Sequence, residues 1–350
     1  AALLAYHWER AGDPREAAKW HRRAAEWVGL NNIDEGLRHW TSARELLDAL
    51  PETPGNLAER AAVRAHILNM LARLGDPDGH GEALFTRGRE LAARSGNRQV
   101  QSLLLSSFGT LRLYSGAVSE GLDLLVDAAR VADETGDPGL RVAVRYGLAF
   151  ANLQTGRLRE SLSAVDDGLR IAPEDLGLGT GLLGVSPHLM LSVNRAVALV
   201  WTGRPGEAEK ELDRIIEGSR KTQPVTMLSL YVAHAYHVIR CDLVGDAGAA
   251  LAHGREAIGC VERVANAMLQ LVAYCTWGVA NVSNGEWQVA RDALDHALGI
   301  ARARHLGVYE GLALAMMARV HVGLGDPAAG REVAEEALDL CRKLGTHIWD

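Results

Sequence analysis

Ala318-Arg319-Val320-His321-Val322-Gly323-Leu324-Gly325-Asp326-Pro327-Ala328-Ala329-Gly330-Arg331-Glu332-Val333-Ala334-Glu335-Glu336-Ala337 is the stretch whose reading decides the fold. A glycine suits the left-handed position after a helix, and a proline is tolerated in the first turn of the next one. Gly325-Asp326-Pro327 therefore reads as the tight turn of a helical hairpin, and Ala11-Gly12-Asp13-Pro14 has the same form. Working outward, turn glycines recur at Gly75, Gly116, Gly156, Gly203, Gly245 and Gly285, mostly about 40 residues apart, a spacing of the order found in helical repeats.

Small residues recur at fixed offsets from these turns. Seven positions before the glycine stand Ala5, Gly109, Ala149, Ala196, Gly278 and Ala318, with Val238 the exception. Five after it come Ala17, Gly121, Ser161, Ala208, Ala250, Ala290 and Gly330; twelve after it come Ala24, Ala128, Gly168, Ala257, Ala297 and Ala337, with Ile215 the exception. Small side chains at such positions let the two helices of a hairpin, and the first helix of the next, cross closely.

This pattern resembles the tetratricopeptide repeat, with a period of about 40 rather than about 34 residues. The expected fold is all-α, an α-α superhelix (solenoid) of antiparallel helix pairs. The spacing predicts pairs at 1–11 with 14–29, 57–74 with 82–94, 98–115 with 118–135 and 138–155 with 158–171. The later pairs fall at 187–202 with 205–219, 225–244 with 247–263, 266–284 with 286–304 and 307–324 with 327–344. A further helix over 33–50 ends at Leu50-Pro51-Glu52-Thr53-Pro54-Gly55, where two prolines and a glycine make a break. The expected organisation is thus an N-terminal section, 1–55, and a main array, 56–350, with a glycine-rich insertion at 172–187. The chain starts at Ala1 rather than Met and stops in a helical pattern, as expected for a piece of something larger.

The formal charge is −7, from 37 basic and 44 acidic residues. Phosphate neutralisation needs a basic surplus, so no nucleic-acid partner is expected. The four cysteines form no Cys-x-x-Cys and read as reduced, which points to the cytoplasm. The longest uncharged stretch, between Arg263 and Glu286, contains Asn266, Gln270, Asn281 and Asn284 and is too polar for lipid. No membrane association is expected.

Motifs that invite chemistry have plainer readings. Gly177-Leu178-Gly179-Thr180-Gly181 lacks the Gly-Lys-Ser/Thr ending of a phosphate loop and follows a helix rather than a strand. His234 and His237 share a helix but have no carboxylate between them, so no metal site and no cofactor are expected. Tryptophans such as Trp8, Trp20, Trp201 and Trp277 follow helical spacing and read as packing. No Gly-x-Ser-x-Gly and no Cys/His pairing with local context occurs, and no catalytic residue is expected. The segment is read as not an enzyme.

What remains is the concave groove lined by the first helix of each pair, where repeat proteins hold extended partners. Its candidate ligand residues are Arg112, Arg145, Asn152, Asn194, Arg195, Tyr236, Arg240 and Asn281. Such side chains hold a protein or peptide by charge-assisted hydrogen bonds.

The opening Tyr6-His7-Trp8-Glu9-Arg10-Ala11-Gly12-Asp13-Pro14-Arg15-Glu16-Ala17-Ala18-Lys19-Trp20-His21-Arg22-Arg23-Ala24-Ala25-Glu26-Trp27 is distinctive, as are Gly184-Val185-Ser186-Pro187-His188 and Gly285-Glu286-Trp287-Gln288. Together they resemble the helical C-terminal region of large bacterial signalling proteins. In these a class III adenylate or guanylate cyclase, or a LuxR-type regulator, is joined to a STAND-type ATPase and then to such repeats. The resemblance implies a non-catalytic regulatory scaffold, the sensor or partner-binding arm of an attached ATPase module. The alternative is a small-molecule or peptide sensor holding its ligand inside the superhelix.

Overall fold

The computed structural model describes residues 1–29, 32–171, 173, 175–221, 227–261 and 266–348, with the side chains of 221, 227 and 228 left aside. Eighteen helices lie among the described residues. They are α1 (Ala2–Arg10), α2 (Pro14–Val28), α3 (Ile33–Asp48), α4 (Pro54–Leu74), α5 (His80–Ser95) and α6 (Arg98–Ser115). Next come α7 (Val118–Thr135), α8 (Pro138–Gln154), α9 (Leu158–Ile171), α10 (Thr180–Leu183), α11 (Pro187–Trp201) and α12 (Pro205–Lys221). The last are α13 (Met227–Val244), α14 (Ala247–Val261), α15 (Ala267–Ser283), α16 (Trp287–Arg304), α17 (Gly307–Gly323) and α18 (Pro327–Leu344). The architecture is the all-α solenoid of tetratricopeptide-like pairs. No described helix is long and apolar enough to cross a membrane.

Local chemistry sets the helix ends. Asp13, Thr53, Asp137, Ser186 and Asp326 each cap a helix N-terminus with a side-chain oxygen, and each precedes a proline in the first turn. At the other end, Gly116 takes the left-handed conformation, φ 100°, and its N–H donates to the carbonyls of Arg112 and Leu113.

The small positions do the packing that their spacing implies. A Cβ on Gly121 would sit 2.7 Å from the Gly109 carbonyl oxygen, and one on Gly330 3.0 Å from that of Ala318. Ser161 donates its hydroxyl to the Ala149 carbonyl at 2.8 Å. In all three, the residue seven before the turn faces the one five after it. The third small position packs within its own hairpin or against the next: Ala128 on α7 accepts from Ser102 on α6 of the same pair, and Gly168 on α9 lies against Leu191 on α11 of the following pair.

The helices form two layers. The first helices of the pairs, α4, α6, α8, α11, α13, α15 and α17, pack on one another as an inner layer, and the second helices form the outer one. The superhelix then closes on itself. α15 touches α4 and α17 touches α6, across more than half the chain. Leu344 fills the space beside Gly116 and Gly307, and the Arg304 carbonyl lies against Gly75. Past α18, Thr346 Oγ1 and the His347 N–H both donate to the Gln154 carbonyl, at 3.1 and 2.8 Å. One apolar core accordingly runs from Ala65 to Ala337.

The glycine-rich insertion is part of this packing. Val185 is buried in a core shared with Trp40, Ile67, Met70 and Met190, and Leu183 packs against it. The insertion joins the N-terminal helices to α11.

Candidate site inside the superhelix

Closure turns the concave groove into an enclosed interior. Tyr114 of α6, Tyr146 of α8, Tyr236 of α13 and Tyr309 of α17 converge there. Tyr114 packs against Tyr309 with ring centroids 5.9 Å apart. Burial pushes the Tyr114 and Tyr236 phenols up, and those of Tyr146 and Tyr309 well above the ordinary range. Yet Tyr146, Tyr236 and Tyr309 are only half-buried by accessible surface. Side chains surrounded by protein that keep accessible surface line an internal space.

Beside these phenols lies a small cavity of about 20 Å³ between α4, α6 and α8, lined by Asn69, Arg73, Ser106, Thr110, Tyr114, Tyr146 and Phe150, and by Leu183 of α10. It has room for a single water-sized group. Arg73 is 4% exposed and donates to the backbone and side-chain oxygens of Asn69, one turn earlier. The Asn69 amide also donates to the Leu182 carbonyl at 3.4 Å, tying the insertion to the cavity rim.

The residues singled out from the sequence divide between this interior and the seams between helices. Tyr236 lies with the interior phenols, and the Asn194 amide donates to the Tyr146 carbonyl at 3.3 Å, bracing α11 on α8. Arg112 pairs with Glu120 at 2.6 Å, Arg145 with Asp133 at 2.8 Å, Arg240 with Glu209 at 2.6 Å, and Arg195 with Asp166. In each pair the arginine is on an inner helix and the carboxylate on an outer one. Asn152 and Asn281 donate back to carbonyls one turn earlier, Leu148 and Trp277. The structure therefore brings Tyr236 and Asn194 to the inner face and engages the other six at seams and turns.

Asn69, Arg73, Tyr114, Tyr146 and Tyr309 were not among those candidates. The signal for several of them is in the repeat: Arg73 and Tyr114 stand two before their turn glycines, and Asn69, Thr110 and Phe150 stand six before theirs. That stripe, at i and i+4 on one helix face, is the one turned inward.

Among the described residues no group of three or more His, Cys, Asp or Glu is placed to hold a metal ion. His234 and His253 approach through their Nδ1 atoms at 2.9 Å, and His237 stacks on His253 at 4.1 Å. None of the four cysteines is in a disulfide.

No protein-family model matches the chain, and no curated protein matches it in sequence. Solved structures do match its fold over nearly its whole length. The Rap protein complexed with Competence and Sporulation Factor superposes with a TM-score of 0.64 at 13% identity, covering 96% of this chain and 98% of that one. NprR in complex with its cognate peptide NprX gives 0.63 at 14% identity, covering 93% and 96%. The apo form of the quorum sensor NprR from B. thuringiensis gives 0.52 at 12% identity, covering 93% and 99%. At these identities the likeness is one of fold: an all-helical tetratricopeptide-like solenoid of the same extent and winding.

Proposed function

We propose that the chain is a non-catalytic receptor that binds a short peptide along the axis of its superhelix and answers by changing how tightly the superhelix closes. The observation that carries this reading is the enclosed inner face, where phenols, Asn69 and Arg73 surround a space while keeping accessible surface. Peptide backbones need such convergent donors and acceptors in a largely apolar enclosure. The fold likeness to NprR with its cognate peptide supports the same reading.

Coupling to an attached ATPase and output module, as the sequence resemblance implies, would make closure the signal those modules read. Four cysteines held in no disulfide, three of them buried, suit a reducing compartment such as the cytoplasm.

The test is selection of a randomised hexapeptide pool on the full chain, with bound peptides read by mass spectrometry and the selected peptides returned to a thermal-shift and X-ray scattering assay. The expected result is a shared sequence pattern, a raised Tm and a changed radius of gyration. Absence of any enriched peptide would overturn the proposal.

A further inference from the structure

The inner helices hold most of their charge as arginine. Four of the seven, α6, α8, α11 and α15, carry no Asp or Glu at all, and the other three carry one each: Glu59, Asp242 and Glu310. The arginines on these helices are neutralised from elsewhere. Arg64 pairs with Asp48 at 2.7 Å and Arg60 with Glu52 at 3.5 Å, both carboxylates lying before α4. Arg98, Arg112, Arg141, Arg145, Arg195 and Arg240 pair with the outer layer, and Arg319 with Asp242.

Arg73 is the exception. It is as buried as Arg60, yet no described carboxylate lies within ion-pairing distance, and its hydrogen bonds go to Asn69 alone. A guanidinium has five N–H donors, and Nη1 alone is engaged. The rest of the group borders the cavity, among Asn69, Ser106, Thr110, Tyr114 and Tyr146. Every one of those side chains can donate a hydrogen bond, and none is an anion. A buried cation without a counter-ion is costly, and the cost is offset when an anion arrives with matching geometry.

We propose that Arg73 anchors a carboxylate of the ligand that occupies the superhelix interior, the phenols of Tyr114 and Tyr146 completing its hydrogen bonds. This rests on the peptide reading above and adds the chemistry of one ligand group. The cavity fits only a water-sized group as it stands, so a carboxylate enters by displacing part of its lining, of which Leu183 of α10 is the member on the insertion. α10 is a four-residue turn between Gly179 and Gly184, both left-handed at φ 77° and 74°, and its movement is a local rearrangement of the insertion. A peptide offers a carboxylate from two sources, its C-terminus or an Asp or Glu side chain.

Three randomised hexapeptide pools separate them: free acids of all residues, C-terminal amides of all residues, and C-terminal amides lacking Asp and Glu. The wild-type chain, Arg73→Gln and Arg73→Lys are each selected against all three. For the wild type, recovery from the carboxylate-free pool should be at least about tenfold below that from the free-acid pool, the scale of a charge-assisted hydrogen bond. R73Q should lose that preference, and R73K should keep it at reduced affinity. Full recovery from the amide pool that retains Asp and Glu assigns a side-chain carboxylate; loss in that pool assigns the C-terminus. Equal recovery from the free-acid and carboxylate-free pools by the wild type, or a preference that persists in R73Q, overturns the assignment of Arg73 while the peptide reading stands. No enrichment of any peptide by the wild type overturns both. Should R73Q fail to fold, the wild-type ratio and the R73K ratio decide the matter.

Discussion

Tyr114 and Tyr309 pack ring against ring, 5.9 Å between centroids, although one lies on α6 and the other on α17. The contact joins α6 to α17, the second inner helix to the last, rather than supporting a neighbouring pair.

Replacing Tyr309 by Ala removes the stack and leaves a gap between α17 and α6. The expected result is a loss of about 3 kcal/mol in denaturant unfolding, near the cost of deleting a buried aromatic ring. Small-angle scattering should show a larger radius of gyration. An unchanged radius with normal stability would show that the outer seams close the superhelix without the ring.

Gly121 meets the backbone of α6, and a side chain there has nowhere to go: the Gly109 oxygen and the Leu113 nitrogen lie 2.7 and 2.8 Å from a Cβ. Gly121→Val should destabilise by about 1–3 kcal/mol through overpacking. Gly299 lies exposed within α16 with nothing near a Cβ, so Gly299→Ala should instead stabilise by up to about 1 kcal/mol. Urea titration of both variants checks the contrast in sign.

Burial lowers the imidazole of His234 to about 4 and that of His237 to about 3, with further lowering from His253. In the unfolded chain these groups protonate near the ordinary value of 6.5. Between those values unfolding takes up protons, so stability is full above pH 6.5 and falls as the pH drops toward 3–4. Each unit of lowering corresponds to about 1.4 kcal/mol once the pH is below the folded value. Asp213, 3.3 Å from His237, and Arg240 act on the same cluster with opposite sign. Tm measured from pH 7.5 to 4.5 should fall, and His237→Phe, which keeps the stack on His253, should flatten part of that slope. His66, stacked on Trp40 and lowered to about 4 by burial, supplies a share that remains in the variant.

Much of the fold was legible in the sequence because its determinants are local. Gly116 and Asp326-Pro327 fix helix ends within a few residues, and Gly109 with Gly121 fixes how one hairpin packs. Helix α4 starts at Pro54, three residues before the predicted 57, because Thr53 caps it. Ring closure was not legible. It depends on the small rotation added at every hairpin, and no single residue carries that sum. For the same reason the sequence marks the inward stripe only in part: Arg73 and Tyr146 lie on a face whose direction the winding decides. The ion pairs of Arg112 and Arg145 are equally hidden from the sequence, because Glu120 and Asp133 lie on the other helix layer.

The two hydrogen bonds that Thr346 and His347 make to Gln154 alter how the chain resists unfolding. An open row of hairpins can fray from either end, each unit lost at little expense to those further in. With the end of the row fastened to its middle, releasing the last hairpin also uncovers the inner surfaces of the earlier ones. Melting becomes a more nearly all-or-none event, and a molecule that docks inside the ring reports its presence to every hairpin at once.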